Sequence, residues 1–261
     1  MKIGIEGIGL WGQGLTGWPE FQAGLDNGFA QQVDKPPAPT PAGIPARERR
    51  RAPLSVKLAI ECINQAASMA GLPEQDMCSV FASAMGDSHI TDYVCKTLAD
   101  NNRALSPTKF HNSVNNAASG YWSISTGNRL PSSFISGFRN SFPVALLEAA
   151  ALAISEDRPT ALAIYDVAFG NPLFDICPSG EDFAAAFVLT PTPDSARWIL
   201  ELEVEQFATD APKSPTPFVQ ERMHKNPSAS ALTLCEMLGR AKPDSISWPL
   251  GTRTSLVASQ L

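Results

Sequence analysis

An α/β sandwich on a mostly parallel sheet is the fold this chain predicts, and three patterns predict it. Short apolar runs that read as buried strands alternate with segments of helical apolar spacing. Gly and Pro punctuate their ends. Alternation of this kind places helices against a sheet whose strands are joined by crossovers. At 261 residues the chain can bury a sizeable core, and one globular unit is expected.

Residues 3–8 alternate apolar residues with Gly and Glu, which suits a first strand. It ends in Gly7-Ile-Gly-Leu-Trp-Gly12, a letter-for-letter GxGxxG. A dinucleotide site also needs a short βαβ unit and an acid about 20 positions further on. That region is Asp34-Lys-Pro-Pro-Ala-Pro-Thr-Pro41, a proline-rich loop that cannot be a central strand, so the reading is rejected.

Leu54, Leu58, Ala59, Cys62, Ile63, Ala66 and Met69 have helical spacing within residues 52–71, and Gly71-Leu-Pro73 stops that helix. Residues 78–83 read as a strand, 84–90 as a polar turn and 92–99 as a helix. A helix over 115–126 carries the small residues Ala117, Ala118, Ser119 and Gly120, beside Tyr121, Trp122 and Ile124. Small residues admit another backbone closely, so this helix is expected to be buried. A strand over 132–136 then meets a sharp turn at Gly137, Phe138 and Arg139 before an apolar helix over 143–155. Strands 160–166 and 184–190 are separated by a loop with no helix-length apolar pattern, which makes them antiparallel neighbours.

Beyond Pro191 the composition shifts. A strand over 198–204, a polar and proline-dotted stretch over 209–226, a helix over 229–238 and a strand over 254–258 follow. This β-α-β portion, 191–261, is too short for a large core of its own and is expected to pack on residues 1–190.

A net charge of -6 and pI near 5.1 argue against nucleic-acid binding, and Arg47-Glu-Arg-Arg-Arg51 reads as a solvated helix approach. Five cysteines without CxxC spacing suggest reduced thiols. Glu6 interrupts the N-terminal apolar run before a signal or membrane span could form, so a cytoplasmic location is expected. Asp87 and His89 would share a face on a strand, but no third ligand stands near them in sequence, and no metal is expected. His89 and His111 read as surface residues, and Cys78 and Cys177 as buried thiols. Phe-Ile-Ser136-Gly-Phe does not match the Gly-x-Ser-x-Gly of a serine hydrolase.

Four stretches in order carry a family resemblance: Val114-Asn-Asn-Ala-Ala-Ser-Gly-Tyr-Trp-Ser-Ile-Ser-Thr-Gly127, the spacing to Pro131, the strand ending at Ser136, and the helix with Glu148-Ala-Ala150. Together with the opening strand and Gly180-Glu-Asp-Phe-Ala-Ala-Ala-Phe-Val-Leu189, they resemble the N-terminal half of a β-ketoacyl synthase of the thiolase fold. The resemblance implies a mixed five-stranded sheet between helices over 1–190, followed by a truncated C-terminal portion. It places the family's nucleophilic cysteine at Arg139 or its immediate neighbour, where this chain has no cysteine. The family's C-terminal histidine motif is also missing, and His224 in Arg222-Met-His-Lys225 is the one histidine after residue 190.

By the same resemblance the chain is a non-catalytic, chain-length-factor-like subunit, similar to the small ones of bacterial aryl polyene pathways. Strand 132–136 would pair with a full-length ketosynthase in an obligate dimer, burying well over about 2,000 Å². Tyr121, Trp122, Ser133, Phe134, Ile135, Ser136 and Phe138 would form the interface and acyl tunnel, with Phe110 and Phe142 nearby. The subunit would hold no cofactor, since substrates would arrive on the phosphopantetheine of a separate acyl carrier protein. Arg139 at a helix N-terminus opposes the helix dipole and needs an acceptor, expected to be backbone carbonyls or a partner carboxylate. Phe138 and Arg139 would then fill the vacated acyl-cysteine space. A stand-alone acyl-thioester-binding protein and a small acyltransferase with an unrecognised nucleophile are the alternatives.

Overall fold

In the computed structural model, residues 1–30, 35–41, 43–100, 104–207, 209–240 and 243–261 are described; Asp34, at the start of the proline-rich loop, lies outside them. The strands are β1 (Lys2–Gly12), β2 (Cys78–Ala82), β3 (Ser132–Ile135), β4 (Thr160–Asp166), β5 (Phe183–Thr190), β6 (Trp198–Glu205), β7 (Ser245–Pro249) and β8 (Ser255–Gln260). The helices are α1 (Trp18–Asn27), α2 (Ala46–Arg51), α3 (Leu54–Ala70), α4 (Ser88–Ala99), α5 (Pro107–His111), α6 (Ala117–Thr126), α7 (Ser141–Glu156), α8 (Leu173–Ile176), α9 (Pro217–Lys225) and α10 (Ala231–Arg240).

All the strands form one mixed sheet in the order β3-β2-β4-β5-β1-β6-β8-β7. Only β3, β2 and β4 run parallel. The remaining pairs are antiparallel, so the expectation of a mostly parallel sheet is corrected. Parallel neighbours need a helical crossover, and helices occupy the β2-to-β3 and β3-to-β4 connections. Strands β4 and β5 are antiparallel as expected for a connection with no crossover-length helix, the single-turn α8 being the one helix in it, and Asp166 stands opposite Phe183 at the turn end.

Alternation along the strands divides the core. Val80, Leu162, Ile164, Phe187 and Leu189 face α7 and α10, packing with Phe142, Leu146, Leu234 and Trp248. Phe81, Ala163, Tyr165, Ala184 and Ala186 face α3 and α6, packing with Leu58, Cys62, Ile63 and Trp122. With both faces covered, β4 and β5 are buried along their whole length, which is why their sequences read as unbroken apolar runs.

The GxGxxG run lies inside the continuous strand β1, where it makes no phosphate-binding turn. Its glycines serve packing. A Cβ on Gly7 would overlap the Ala66 carbonyl and one on Gly9 the Cys62 carbonyl, both on α3, so bare backbone lets the helix sit on the sheet.

Residues 191–261 join the first part more intimately than an appendage. β6, β8 and β7 add three strands beyond the expected five, with one more strand than the β-α-β pattern anticipates, and α10 enters the same core as α7. The missed strand β7 is short and ends in Pro249 at the sheet edge, where a missing N–H costs no ladder bond.

Candidate functional site

Strand β3 is an edge strand. It pairs with β2 alone, placing Ser132, Ser133, Phe134 and Ile135 opposite Ser79, Val80, Phe81 and Ala82. Beyond it the chain bends at Gly137, and a 3-10 turn over Phe138–Asn140 leads into α7. A Cβ on Gly137 would press on the Asn140 carbonyl oxygen at 3.1 Å and on Val144 at 3.2 Å, so the bend needs glycine. Phe138 has φ 56°, one of two non-glycine residues with positive φ among those described. The other, Asp157, caps the C-terminus of α7, a position that tolerates the left-handed conformation.

A bulky residue held there stores about 1–3 kcal/mol of strain. A strained tip between a strand and a helix is the shape that presents a nucleophile to substrate. Here it presents a phenyl ring. The tip falls on Phe138, one residue before Arg139.

Hydrogen bonds hold this bend from behind. The buried Ser141 hydroxyl accepts from the Gly137 N–H (3.0 Å) and donates to the Phe138 carbonyl (2.7 Å). Ser136 reaches the Ala84 carbonyl at 3.4 Å. Deeper lies Asp166, the buried last residue of β4. Its carboxylate accepts from Ser83 (2.7 Å), Ser228 (2.5 Å) and the N–H groups of Ala84 (3.1 Å) and Met85 (3.3 Å). Burial pushes the Asp166 pKa above the usual aspartate value, and those donors oppose the rise. The Asn226 amide donates to the Asp166 carbonyl (3.0 Å) and the Glu181 carbonyl (2.7 Å), anchoring the C-terminal segment beneath the elbow. Sequence reading missed this cluster, although an acid closing an otherwise apolar strand implies converging donors.

A second clamp lies in Arg222-Met-His-Lys225. The buried Arg222 guanidinium pairs with Glu181 (2.9 Å) and stacks over Phe218 at 4.6 Å, while Lys225 bonds Glu181 at 2.7 Å and Glu221 at 2.6 Å. His224 stays exposed, 2.9 Å from the Gln220 amide nitrogen.

Beside the elbow a cleft of about 380 Å³ is lined by Arg139, Cys177, Lys213, Met223 and His224, with Asp210 also on its wall. The β4–β5 loop thus brings a thiol to the elbow that sequence spacing had kept remote. Burial pushes the Cys177 pKa up, the Asp166 charge adds to the rise, and Arg139 opposes it, so the sulfur is a protonated thiol near neutral pH.

The expected interface residues separate into two groups. Ser133, Phe134 and Ile135 are half-buried on β3, Ser136 is exposed, and Phe138 is 41% exposed. Tyr121 and Trp122 are buried core residues instead: Trp122 packs edge-on against Phe81, and the Tyr121 hydroxyl lies 3.2 Å from the Asn112 side-chain oxygen. Both lie on the side of α6 that meets the sheet. Phe142 is likewise core, against Phe187 and Trp248, whereas Phe110 is exposed on α5.

Helix α6 is only half covered, contrary to expectation. Ile124 is exposed, and a Cβ on Gly120 would meet no atom of the described residues within 4 Å. Arg139 is also exposed. Its guanidinium lies 5.8 Å from the centre of the Phe138 ring, with neither a carbonyl nor a carboxylate partner among the described residues, so it does not fill a closed space within the chain.

Asp87 is occupied as the N-cap of α4, accepting from the Ile90 N–H (3.0 Å) and from Ser55 (2.7 Å). His89 and His111 are exposed on α4 and α5. Among the described residues no group of three or more His, Cys, Asp or Glu is arranged to hold a metal, and no helix is long and apolar enough to cross a membrane.

A five-stranded mixed core extended by an antiparallel edge, with a strained strand-to-helix elbow beside a free edge strand, defines a thiolase-like α/β protein. The chain belongs to the β-ketoacyl synthase N-terminal domain family, whose model matches residues 22–249. It is similar in fold to a chain of the ketosynthase ApeO in complex with its chain length factor ApeC from Xenorhabdus doucetiae (TM-score 0.74, 18% identity, covering 99% of both chains). It is similar too to a chain of the ishigamide ketosynthase/chain length factor (TM-score 0.70, 13% identity, covering 100% of this chain and 99% of that one). A third similar structure is the AntDE:AntF complex, a type II PKS acyl-carrier protein with its ketosynthase bound to the hexaketide (TM-score 0.70, 13% identity, 100% and 99% covered). No curated protein matches the chain.

Proposed function

We propose that this chain is a non-catalytic, chain-length-factor-like partner of a β-ketoacyl-ACP synthase in polyketide or aryl polyene biosynthesis, shaping an acyl tunnel at a heterodimer interface. The observation that carries the reading is the elbow itself, with Phe138 at its strained tip where a nucleophile would stand. The similar solved structures, complexes of ketosynthases with chain length factors among them, support it.

The surface beside the elbow supports the partner. The edge of β3 is open, helix α6 against it carries Ile124 at 66% exposure and an uncovered Gly120, and Phe110 and Val114 are 61% and 48% exposed. Unpaired edges and exposed apolar groups of this kind are concealed by assembly. The substrate would reach the complex on an acyl carrier protein, and this subunit would hold no cofactor. Cys177 is the one observation that favours the acyltransferase alternative, and its buried, protonated thiol makes a poor nucleophile.

Co-expression with a candidate ketosynthase tests the reading. A heterodimer should form, and Ser132→Pro, which removes an N–H on the free edge while the β2–β3 ladder runs through residues 131, 133 and 135, should weaken it. A monomeric chain that binds no ketosynthase, or a covalent acyl adduct on this chain after incubation with acyl-carrier thioester, would reject it.

A further inference from the structure

We infer that the cleft beside the elbow binds an organic carboxylate, with Arg139 as its principal contact. The inference does not depend on the partner reading. Arg139 and Lys213 line the cleft, and among the described residues neither pairs with a carboxylate. Asp210 is the one acid on the wall. Cys177 adds no counter-charge because burial keeps its thiol protonated.

His224 also lines the cleft. The Gln220 side-chain oxygen accepts from the Ser214 N–H (2.9 Å), so its amide nitrogen faces His224 Nε2 at 2.9 Å. Two cations against one acid leave a single excess positive charge in a chain whose net charge is -6. A monoanion matches that excess better than a dianion does.

The strained turn gives the arginine its place. Phe138 at φ 56° holds its ring beneath the Arg139 guanidinium, 5.8 Å from centre to carbon, a cation–π arrangement that stacks the planar fork. Such a fork suits bidentate capture of a carboxylate. The rest of the wall includes Pro178, Pro212, Met223 and Pro227, which would take an apolar body attached to the anion. An apolar cleft with a few converging polar groups is the usual form of a small-molecule site.

Titration calorimetry of the purified protein, with any partner it retains, tests the assignment using octanoate, octanamide and inorganic phosphate as probes. Octanoate should bind, octanamide should not, and Arg139→Gln should weaken octanoate by at least about tenfold, as expected for a charged hydrogen bond. Arg129→Gln, an exposed arginine at the other end of β3, should leave binding unchanged. Both side chains are exposed, so circular dichroism should show both variants folded. The inference is overturned if octanoate does not bind, if octanamide binds equally, if phosphate displaces octanoate at equal concentration, or if Arg139→Gln has no effect.

Discussion

Asp166 is the residue on which the back of the elbow converges, and replacing it separates what the cluster does from what simple burial would do. Asp166→Ala removes the acceptor for two fixed donors, the N–H groups of Ala84 and Met85, and for the hydroxyls of Ser83 and Ser228. The hydroxyls can rotate, but the backbone groups cannot. Each stranded buried donor costs about 1–3 kcal/mol, so the pair alone predicts a loss of about 2–6 kcal/mol. Asp166→Asn keeps an oxygen for Ser83, Ala84 and Met85 and turns its amide toward Ser228, whose oxygen can accept; about 1–2 kcal/mol is expected.

Urea denaturation at fixed protein concentration measures both. Hydrogen exchange at Ala84 and Met85 should accelerate in Asp166→Ala alone. The pH dependence has a definite sign. Because the folded pKa of Asp166 is raised, its contribution is greatest below the unfolded value, about 4. It declines as pH rises through the window between that value and the raised folded one. The stability difference between wild type and the non-titrating Asp166→Asn should therefore shrink across that window and be flat above it. An Asp166→Ala loss below 1 kcal/mol, on the order of a single surface change, would falsify the view that this carboxylate organises the elbow.

Three other outcomes follow from the geometry. Phe138→Gly should raise the melting temperature, since relief of about 1–3 kcal/mol of strain exceeds the backbone entropy of glycine, about 0.5–1 kcal/mol, at a half-exposed side chain; a fall would mean that the ring's contacts outweigh the strain. Gly9→Ala should destabilise by about 1–3 kcal/mol, because its Cβ meets backbone of α3 that must shift bodily, and an unchanged urea midpoint would contradict that packing. Iodoacetamide under native conditions should modify exposed Cys95 first and leave Cys62, Cys177 and Cys235 until unfolding, as mass spectrometry would show.

Legibility from sequence followed the reach of each signal. The helix over 52–71 and the strands over 160–166 and 184–190 were readable because periodicity, Gly stops and unbroken apolar runs are local properties. The elbow was readable as a strand, a turn and a helix. Sheet polarity was misjudged, since the antiparallel pairs β1–β5 and β1–β6 join segments remote in sequence and no local pattern announces them. The aromatics were misassigned for a related reason. Tyr121 and Trp122 lie on the side of α6 that meets the sheet, while Gly120 and Ile124 lie on the bare side, and composition alone does not orient a helix. The Asp166 cluster and the Arg139 cleft were out of reach because they draw on residues far apart in sequence, Ser83 with Asp166 and Ser228 in the one and Arg139 with Ser230 in the other.

The C-terminal residues give the elbow its rigidity by a route that needs no catalytic group. A residue such as Phe138 keeps an unfavourable backbone angle only where its surroundings leave it no alternative. The β2–β3 register fixes one side of the bend and Ser141 the inside of the turn. Asn226, donating to the Asp166 backbone carbonyl, and Ser228, donating to the carboxylate that also holds Ser83, Ala84 and Met85 at the end of β2, close the remaining side. Loosening any of these should let Phe138 relax toward negative φ, carry its ring away from Arg139 and weaken carboxylate binding without touching the cleft. Ser228→Ala is the mildest such change, since it deletes one buried hydroxyl that is not itself among the residues lining the cleft. Octanoate affinity should fall in Ser228→Ala while Arg129→Gln stays unchanged; equal affinity would show that the ring and the guanidinium hold their positions without the C-terminal clamp.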